Sequence, residues 1–443
     1  MTKDTVDFTA KYSSSLKVLC LLTVTRAGSK FIHSLLDDHP NIVCFPRKFN
    51  FGLFWLTISS YKDDLARVVD TFLQSYDHFF SGRHWQKFTH VERAAELGPN
   101  KDQTFEVDPI LFREILYRNL ENADITRRSL FVALHFAYME ARGKSIPDSV
   151  LIFYHIHDVR LFNNLRICLE DFPDTQVLVT TKNPLLSLDS VFNSMVSQNK
   201  LSSKKLYINY CQTIYDVSDL LENFPGTHIK VIPFETLHRN STEIMTRLCT
   251  WLSLDWNTSL LSSTIHGKLW WGNGNIPRNG FRTDWPKYTF EECTGLRAND
   301  WKSFSYLFYD KMKHYGYISA IDEEQLSSQL SWHTLLWPTY SEWCVLKSIC
   351  SISHWIRVST NLSQDIRDPN LSHDIHYLKN MSKHLSMVKL FTPIANLISH
   401  CVIISLLIYK VNPISWTYYY LKRVGFCLQK IRRNNFSNLP DLL

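Results

Sequence analysis

Two loops in this 443-residue chain carry residues able to hold anions. In the first, the apolar run LKVLCLLTV (16–24) gives way to Arg26-Ala27-Gly28-Ser29-Lys30 and then to KFIHSLLDD, where Phe31, Ile32, Leu35 and Leu36 recur at helical spacing. Small residues let the backbone curl, amide N–H groups and the helix N-terminus add positive potential, and Arg26, Ser29 and Lys30 supply donors. That is an anion cradle, and it lacks the GxxxxGK pattern of a Walker A loop, which argues against an ATPase or kinase. In the second, QVLVTT (176–181) runs into Lys182-Asn183-Pro184, with Ser190 eight residues after Lys182. On a helix opened by Pro184, Ser190 lies two turns on, so Lys182 and Ser190 suit one phosphate. Singly, each loop also fits an ordinary strand-helix turn with surface cations; together they fit a ligand with two separated phosphate-type groups.

The elements that must position these loops follow one grammar. The run 16–24 reads as a strand covered on both faces, and so do LIFYHIH (151–157), QVLVTT and HIKVIPF (228–234). Helical segments follow each: VRLFNNLRICLEDF, PLLSLDSVFNSM and STEIMTRLCTWLSL. The predicted fold class is therefore α/β, a parallel sheet flanked by helices, with ligands at the carboxyl ends of its strands. Residues 41–150 are aromatic-rich and less periodic, with helical pieces at 63–78 and 109–120, and read as a helical insertion that caps the sheet and meets the acceptor. The organisation predicted is a domain over 1–320 and a helical C-terminal extension over 321–443.

Composition limits the partners. The net charge is +6, but residues 410–443 hold six basic side chains (Lys410, Lys422, Arg423, Lys430, Arg432, Arg433) against Asp441 alone, which leaves +1 for the rest. A nucleic-acid partner is excluded on this reading. The ten cysteines show no CxxC pair, as expected of reduced thiols, and the polar N-terminus shows no secretory signal. The 20 residues 390–409 carry no formal charge and precede Trp416, Tyr418, Tyr419, Tyr420 and the basic cluster, a combination found at membrane interfaces. Pro393, Asn396, Ser399 and His400 weigh against a span, so membrane contact through 390–433 and a buried C-terminal helix both stand as readings. The expected location is cytoplasmic, with attachment to the cytoplasmic face of a membrane through the C-terminus as the extension of that reading.

With these residues in place, the chain resembles the sulfotransferases that use 3′-phosphoadenosine 5′-phosphosulfate (PAPS). VTRAGSKFIHSLLDDHP is similar to their 5′-phosphosulfate loop, and FPDTQVLVTTKNPLLSLDS to their 3′-phosphate motif, with Lys182 for the usual Arg and Asn183 for the usual Asp. VIPFETL followed by LCTWLSLDW resembles a later strand-helix segment, with Phe234 for the common Tyr. HGKLWWGNGNIPRNGFRTDW, which holds Gly267, Gly272, Gly274 and Gly280, resembles the loop that closes over the nucleotide. The likeness runs from about residue 16 to 318 in the family's order and is loose over 45–150.

The resemblance implies a P-loop-like sulfotransferase fold and transfer of a sulfuryl group from PAPS, as co-substrate, to a hydroxyl or amine of a carbohydrate, glycolipid or similar acceptor. It implies no metal. Residue by residue, Arg26, Ala27, Gly28, Ser29, Lys30 and Phe31 would surround the 5′ end, and Lys182, Ser190, Arg278, Asn279 and Gly280 the 3′-phosphate. Arg26 would meet charge on the leaving phosphate. His157, preferred over His155, would be the base, with Glu106 the next candidate; the pKa of an ordinary imidazole suits that task. The His-x-His-Asp string at 155–158 lacks a further ligand set for a metal. The aromatic pair Trp270-Trp271 is either a platform for sugar rings or core. The alternative class is a non-catalytic, sulfotransferase-like nucleotide-binding or membrane-associated interaction protein.

Overall fold

The computed structural model describes residues 16–23, 26–87, 93–121, 123–158, 162–197, 202–214, 224–272, 279–282, 295–318, 332–349 and 413–433. Arg278 and the uncharged run 390–409 lie outside these residues. In chain order the elements begin with β1 (Lys17–Thr23), α1 (Ser29–Leu36), β2 (Ile42–Val43), α2 (Phe51–Ile58), α3 (Leu65–Ser75), α4 (Pro109–Leu120) and α5 (Arg127–Ala141). Next come β3 (Leu151–Asp158), α6 (Phe162–Asp171), β4 (Gln176–Thr181), α7 (Pro184–Ser197), α8 (Ser203–Ile214), β5 (His228–Pro233), α9 (Phe234–Arg239) and α10 (Ser241–Leu252). A hairpin of β6 (Thr264–Ile265) and β7 (Lys268–Leu269) precedes α11 (Ala298–His314), α12 (Tyr340–Ile349) and α13 (Pro413–Arg433).

Two compact units result. One comprises Met1–Asn183, Tyr215–Lys287 and Asn438–Leu443; the other comprises Pro184–Ile214 and Tyr288–Ser437. The first holds a five-stranded parallel sheet in the order β2-β3-β1-β4-β5. Its central strands are buried on both sides, which is why they appear in the sequence as unbroken apolar runs. Leu19 and Leu21 of β1 face Ile32 and Leu35 of α1 and Leu248 of α10 in one continuous core. On β1 between them, Cys20 reaches Cys168 of α6, Sγ to Sγ 3.3 Å. Each fully buried leucine of this kind contributes ~1.5–3 kcal/mol.

Local chemistry sets the helix starts. Asp64 caps α3 through the Arg67 N–H, Asp108 caps α4 ahead of Pro109, and Thr126 with Ser129 forms a reciprocal capping box on α5. Ser129 through Met139 of α5 are buried without interruption, so the helix is apolar around its whole circumference, and Arg127 ties it to α6 by a bidentate pair with Asp171, at 2.6 and 2.8 Å. The region 41–150 opens with β2, which joins the edge of the sheet before the helices begin.

In the second unit α8 packs on α13, and α12 on α13. Arg423 is only 1% exposed there, with Nε 2.7 Å from Glu342 Oε1 and further bonds to the carbonyls of Leu335 and Trp337. This corrects the reading of the C-terminal charge. Arg423 counts toward the basic tail in composition but is neutralised inside the fold, so it is no cation for an anionic surface.

Candidate active site

The carboxyl ends of β1, β3, β4 and β5 carry the candidate residues of the first unit. Beyond β1 the backbone turns left-handed twice, at Arg26 (φ 60°) and Gly28 (φ 80°), before α1 opens at Ser29. Gly28 is required by shape as well as by φ: a Cβ there would lie 2.1 Å from Cε2 and 2.4 Å from Cδ2 of Phe234, the first residue of α9. Its carbonyl accepts the N–H groups of Phe31 and Ile32, at 2.9 and 3.1 Å, which leaves the earliest amides of the helix without an intrahelical acceptor. Arg26 is exposed, Lys30 and Phe31 are half-buried, and Ala27 and Ser29 are buried.

The two histidines of β3 take different places. Along β1 and β3 the register pairs Leu21 with His155 and Leu22 with His157, so Ile156 is passed over in a bulge. His157 takes a left-handed φ of 88°, strained for a side chain with a Cβ, and the combination re-aims it toward α1. Its Nδ1 stands 2.9 Å from Ser29 Oγ. His155 points instead into the core, 4% exposed, with its Nδ1 2.9 Å from Nδ1 of His33. Burial, followed by the neighbouring His33 and His157 and the cations Lys48 and Lys30, holds the His155 pKa well below the ordinary imidazole value. The structure thus brings His157 to the anion loop and leaves His155 behind it.

At β4 the end is tied to its neighbours. Thr180 donates to Thr23 at 2.8 Å, and the Asn183 N–H donates to Oε1 of buried Glu235 on α9 at 3.0 Å. Lys182 and Asn183 are half-buried. Ser190 is half-buried on α7, in the second unit. Glu106 is exposed, accepts from Ser81 Oγ at 2.9 Å and lies 3.7 Å from Arg83 Nε.

Of the glycine-dense segment, residues 266–272 and 279–282 are described. Both amide hydrogens of Asn279 are engaged, donating to the carbonyls of Ser263 at 2.8 Å and Trp270 at 2.7 Å, so this side chain fastens its loop to the β6-β7 hairpin. Gly280 follows with φ 68°. Trp270 is 4% exposed in a cluster with Trp85, Phe105 and Ile265, which makes it core rather than a sugar platform. Trp271 donates its Nε1–H to Gly98 at 2.7 Å.

Sequence reasoning missed an aromatic group beside the loop. Phe31 stacks on His238 with centroids 4.6 Å apart, and meets Phe234 and Phe281 edge-on at 5.8 and 5.3 Å. Nδ1 of His238 accepts the Arg282 N–H at 2.9 Å, and burial, with Arg282 nearby, pushes its pKa down to about 4. The clue available was modest: aromatic residues at 31, 234 and 281 each adjoin a segment already picked out. Among the described residues no group of three or more His, Cys, Asp or Glu is arranged to hold a metal ion.

Three solved structures align with the chain: the sulfotransferase domain from the curacin biosynthetic pathway (14% identity, 59% of this chain and 84% of that one, TM-score 0.31), the sulfotransferase domain of the Synechococcus PCC 7002 olefin synthase (15%, 56% and 76%, 0.31) and sulfotransferase STF9 from Mycobacterium avium (14%, 58% and 70%, 0.30). No curated protein matches. A family model described as the sulfotransferase family matches residues 19–258, which takes in β1 from Leu19, the other four strands of the parallel sheet, residues 26–31 and His157. The chain belongs to the sulfotransferase family.

Proposed function

We propose that this protein moves a sulfuryl group from PAPS to a hydroxyl or amine of a carbohydrate, glycolipid or similar acceptor by in-line displacement. The observation that carries the proposal is the Ser29–His157 pair, 2.9 Å apart at the opening of α1, in a chain of the sulfotransferase family. A buried hydroxyl beside a left-handed glycine and a helix N-terminus suits a sulfonate or phosphate group. The nucleotide is a substrate in this reading, and no metal is called for.

The roles follow from hydrogen-bond chemistry. When His157 donates its Nδ1–H to Ser29 Oγ, the Ser29 hydroxyl proton points onward to an anionic oxygen of the donor, and His157 Nε2 is left bare. Nε2 then takes the acceptor proton as the new O–S or N–S bond forms. The S–O bond to the 5′-phosphate breaks with its electron pair retained on the phosphate oxygen, where Arg26, Lys30 and the loop amides meet the charge. Ala27, Gly28 and Phe31 shape that pocket. Lys182, Arg278, Asn279 and Gly280 are assigned to the 3′-phosphate end, Asn279 by fixing its loop; Ser190, on α7 of the second unit, stays the candidate that its spacing from Lys182 offered. Membrane contact through 390–433, from the cytoplasmic side, fits a lipid-linked acceptor.

The test is an assay with labelled PAPS against a panel of cell-envelope glycans and glycolipids, read as a sulfate adduct by mass spectrometry. His157→Ala should lower turnover by a factor on the order of 10²–10⁴, the range for loss of a general base, with affinity for adenosine 3′,5′-bisphosphate retained. Wild-type turnover in that variant removes His157 from the chemistry. Binding without turnover on any acceptor leaves a nucleotide-binding protein.

A further inference from the structure

His33 lies on α1, one turn beyond Ser29, and is 5% exposed. Its Nε2 is 2.9 Å from the carbonyl oxygen of Phe45, and its Nδ1 is 2.9 Å from Nδ1 of His155. A carbonyl only accepts, so His33 carries its proton on Nε2. Burial lowers the His33 pKa to about 4, against partial opposition from Asp37 and from the Phe45 carbonyl, so the ring is neutral near pH 7 and its Nδ1 is a bare acceptor. Two bare nitrogens would repel at 2.9 Å. The hydrogen between them therefore belongs to His155, which is fixed as the Nδ1–H tautomer with a bare Nε2.

That Nε2 is buried and has no hydrogen-bond partner among the described residues. An acceptor left unpaired in the interior is costly to the fold. The two nitrogens of an imidazole look out from opposite edges, so the lone pair faces away from His33. The His155 ring stands edge-to-face with His157, centroids 5.5 Å apart. His155 therefore stands against His157 as an uncharged ring held in one tautomer, a fixed dipole in a medium where such dipoles act strongly.

We propose that His33 is a positioning residue for His157: by fixing the tautomer of His155, it keeps one uncharged, singly oriented ring against His157 and so sets the proton affinity of His157. The chain of contacts runs from the Phe45 carbonyl to His33, to His155, and then to His157 beside Ser29. Its catalytic meaning rests on the sulfuryl-transfer reading, but the chain itself does not.

The experiment uses the full chain labelled with [15N]histidine, with His155 and His157 signals assigned by their loss in His155→Gln and His157→Gln. In the wild type the His155 shifts should report Nδ1–H. In His33→Leu, which removes the acceptor, His155 should lose that single tautomer and the His157 titration should move by about one pH unit, a tenfold change in base strength. His33→Asn, which restores an acceptor oxygen near the former Nδ1 position, should bring both signals back toward wild type. A wild-type His155 protonated at Nε2, or a His157 titration unmoved in His33→Leu, overturns the proposal. The acidic limb of the turnover profile should move with the His157 titration. If the titration moves while the wild type transfers no sulfate to any acceptor, the positioning chain stands and the functional reading fails.

Discussion

Replacing Gly28 by alanine tests whether the anion loop is held by shape. The new methyl would meet three atoms of the Phe234 ring at 2.1, 2.4 and 2.8 Å, all well inside contact distance. The ring has little freedom to retreat, since Phe31 and His238 both abut it, at 5.8 and 4.6 Å between centroids. Two costs combine. A side chain at φ 80° adds ~1–2 kcal/mol and overpacking adds ~1–3 kcal/mol, so Gly28→Ala should lose roughly 2–5 kcal/mol of stability, or shift the loop and lose nucleotide affinity instead. Truncating the ring separates the two. In the cycle of Gly28→Ala, Phe234→Ala and the double variant, the steric part should vanish from the double, giving a coupling of ~1–3 kcal/mol, while the backbone part persists. Urea unfolding of the four proteins gives the cycle, and calorimetry with adenosine 3′,5′-bisphosphate gives the affinity. Strict additivity, or a Gly28→Ala protein as stable and as tight-binding as wild type, would refute the account of why glycine stands there.

Acid should weaken the first unit through its buried histidines. Burial lowers the pKa of His33 to about 4 and of His135 to about 3, while in the unfolded chain both return to ~6.5. Stability from these two is thus fully present above pH 6.5 and lost as pH falls toward the folded values, roughly 5 kcal/mol between pH 6.5 and 4.5 at ~1.4 kcal/mol per unit for each ring. Urea midpoints across that range measure the slope, and a flat profile contradicts it. In the second unit, Glu342→Gln leaves the Arg423 guanidinium buried without its counter-charge and should cost ~3–5 kcal/mol, whereas Glu342→Leu combined with Arg423→Met should lie much closer to wild type. Hydrogen exchange along α13 reads the difference, and equal protection in both variants would place the pair outside the unit's stability.

The parallel sheet was legible because its strands are buried on both faces, so each appears as a short apolar run and needs no alternation to be recognised. β1, β4 and β5 lie within the segments expected of them, and β3 runs one residue past its own. Where burial is complete on a helix, the same property hides the answer: α5 has no polar face, and thus no helical period in its sequence. β2 is two residues long and gives no pattern at all. The turn after β1 was legible from residue types, since Gly28 supplies the left-handed angle between strand and helix.

The rest of the site depends on geometry that residue types do not encode. His155 and His157 are two apart on one strand, which by simple alternation puts both rings on the same face. One passed-over residue, Ile156, and one left-handed backbone angle separate them into a core histidine and a loop-facing one. His33 was silent for a related reason: it lies among the apolar residues of α1, and its partner is 122 positions away. Arg423 makes the same point with charge. Composition counts it among the tail's cations, but Glu342, 81 residues earlier, cancels it in the interior. A charge or a histidine takes its chemistry from the partners that the fold selects for it, and for His157 one such partner is Ser29, at the start of α1.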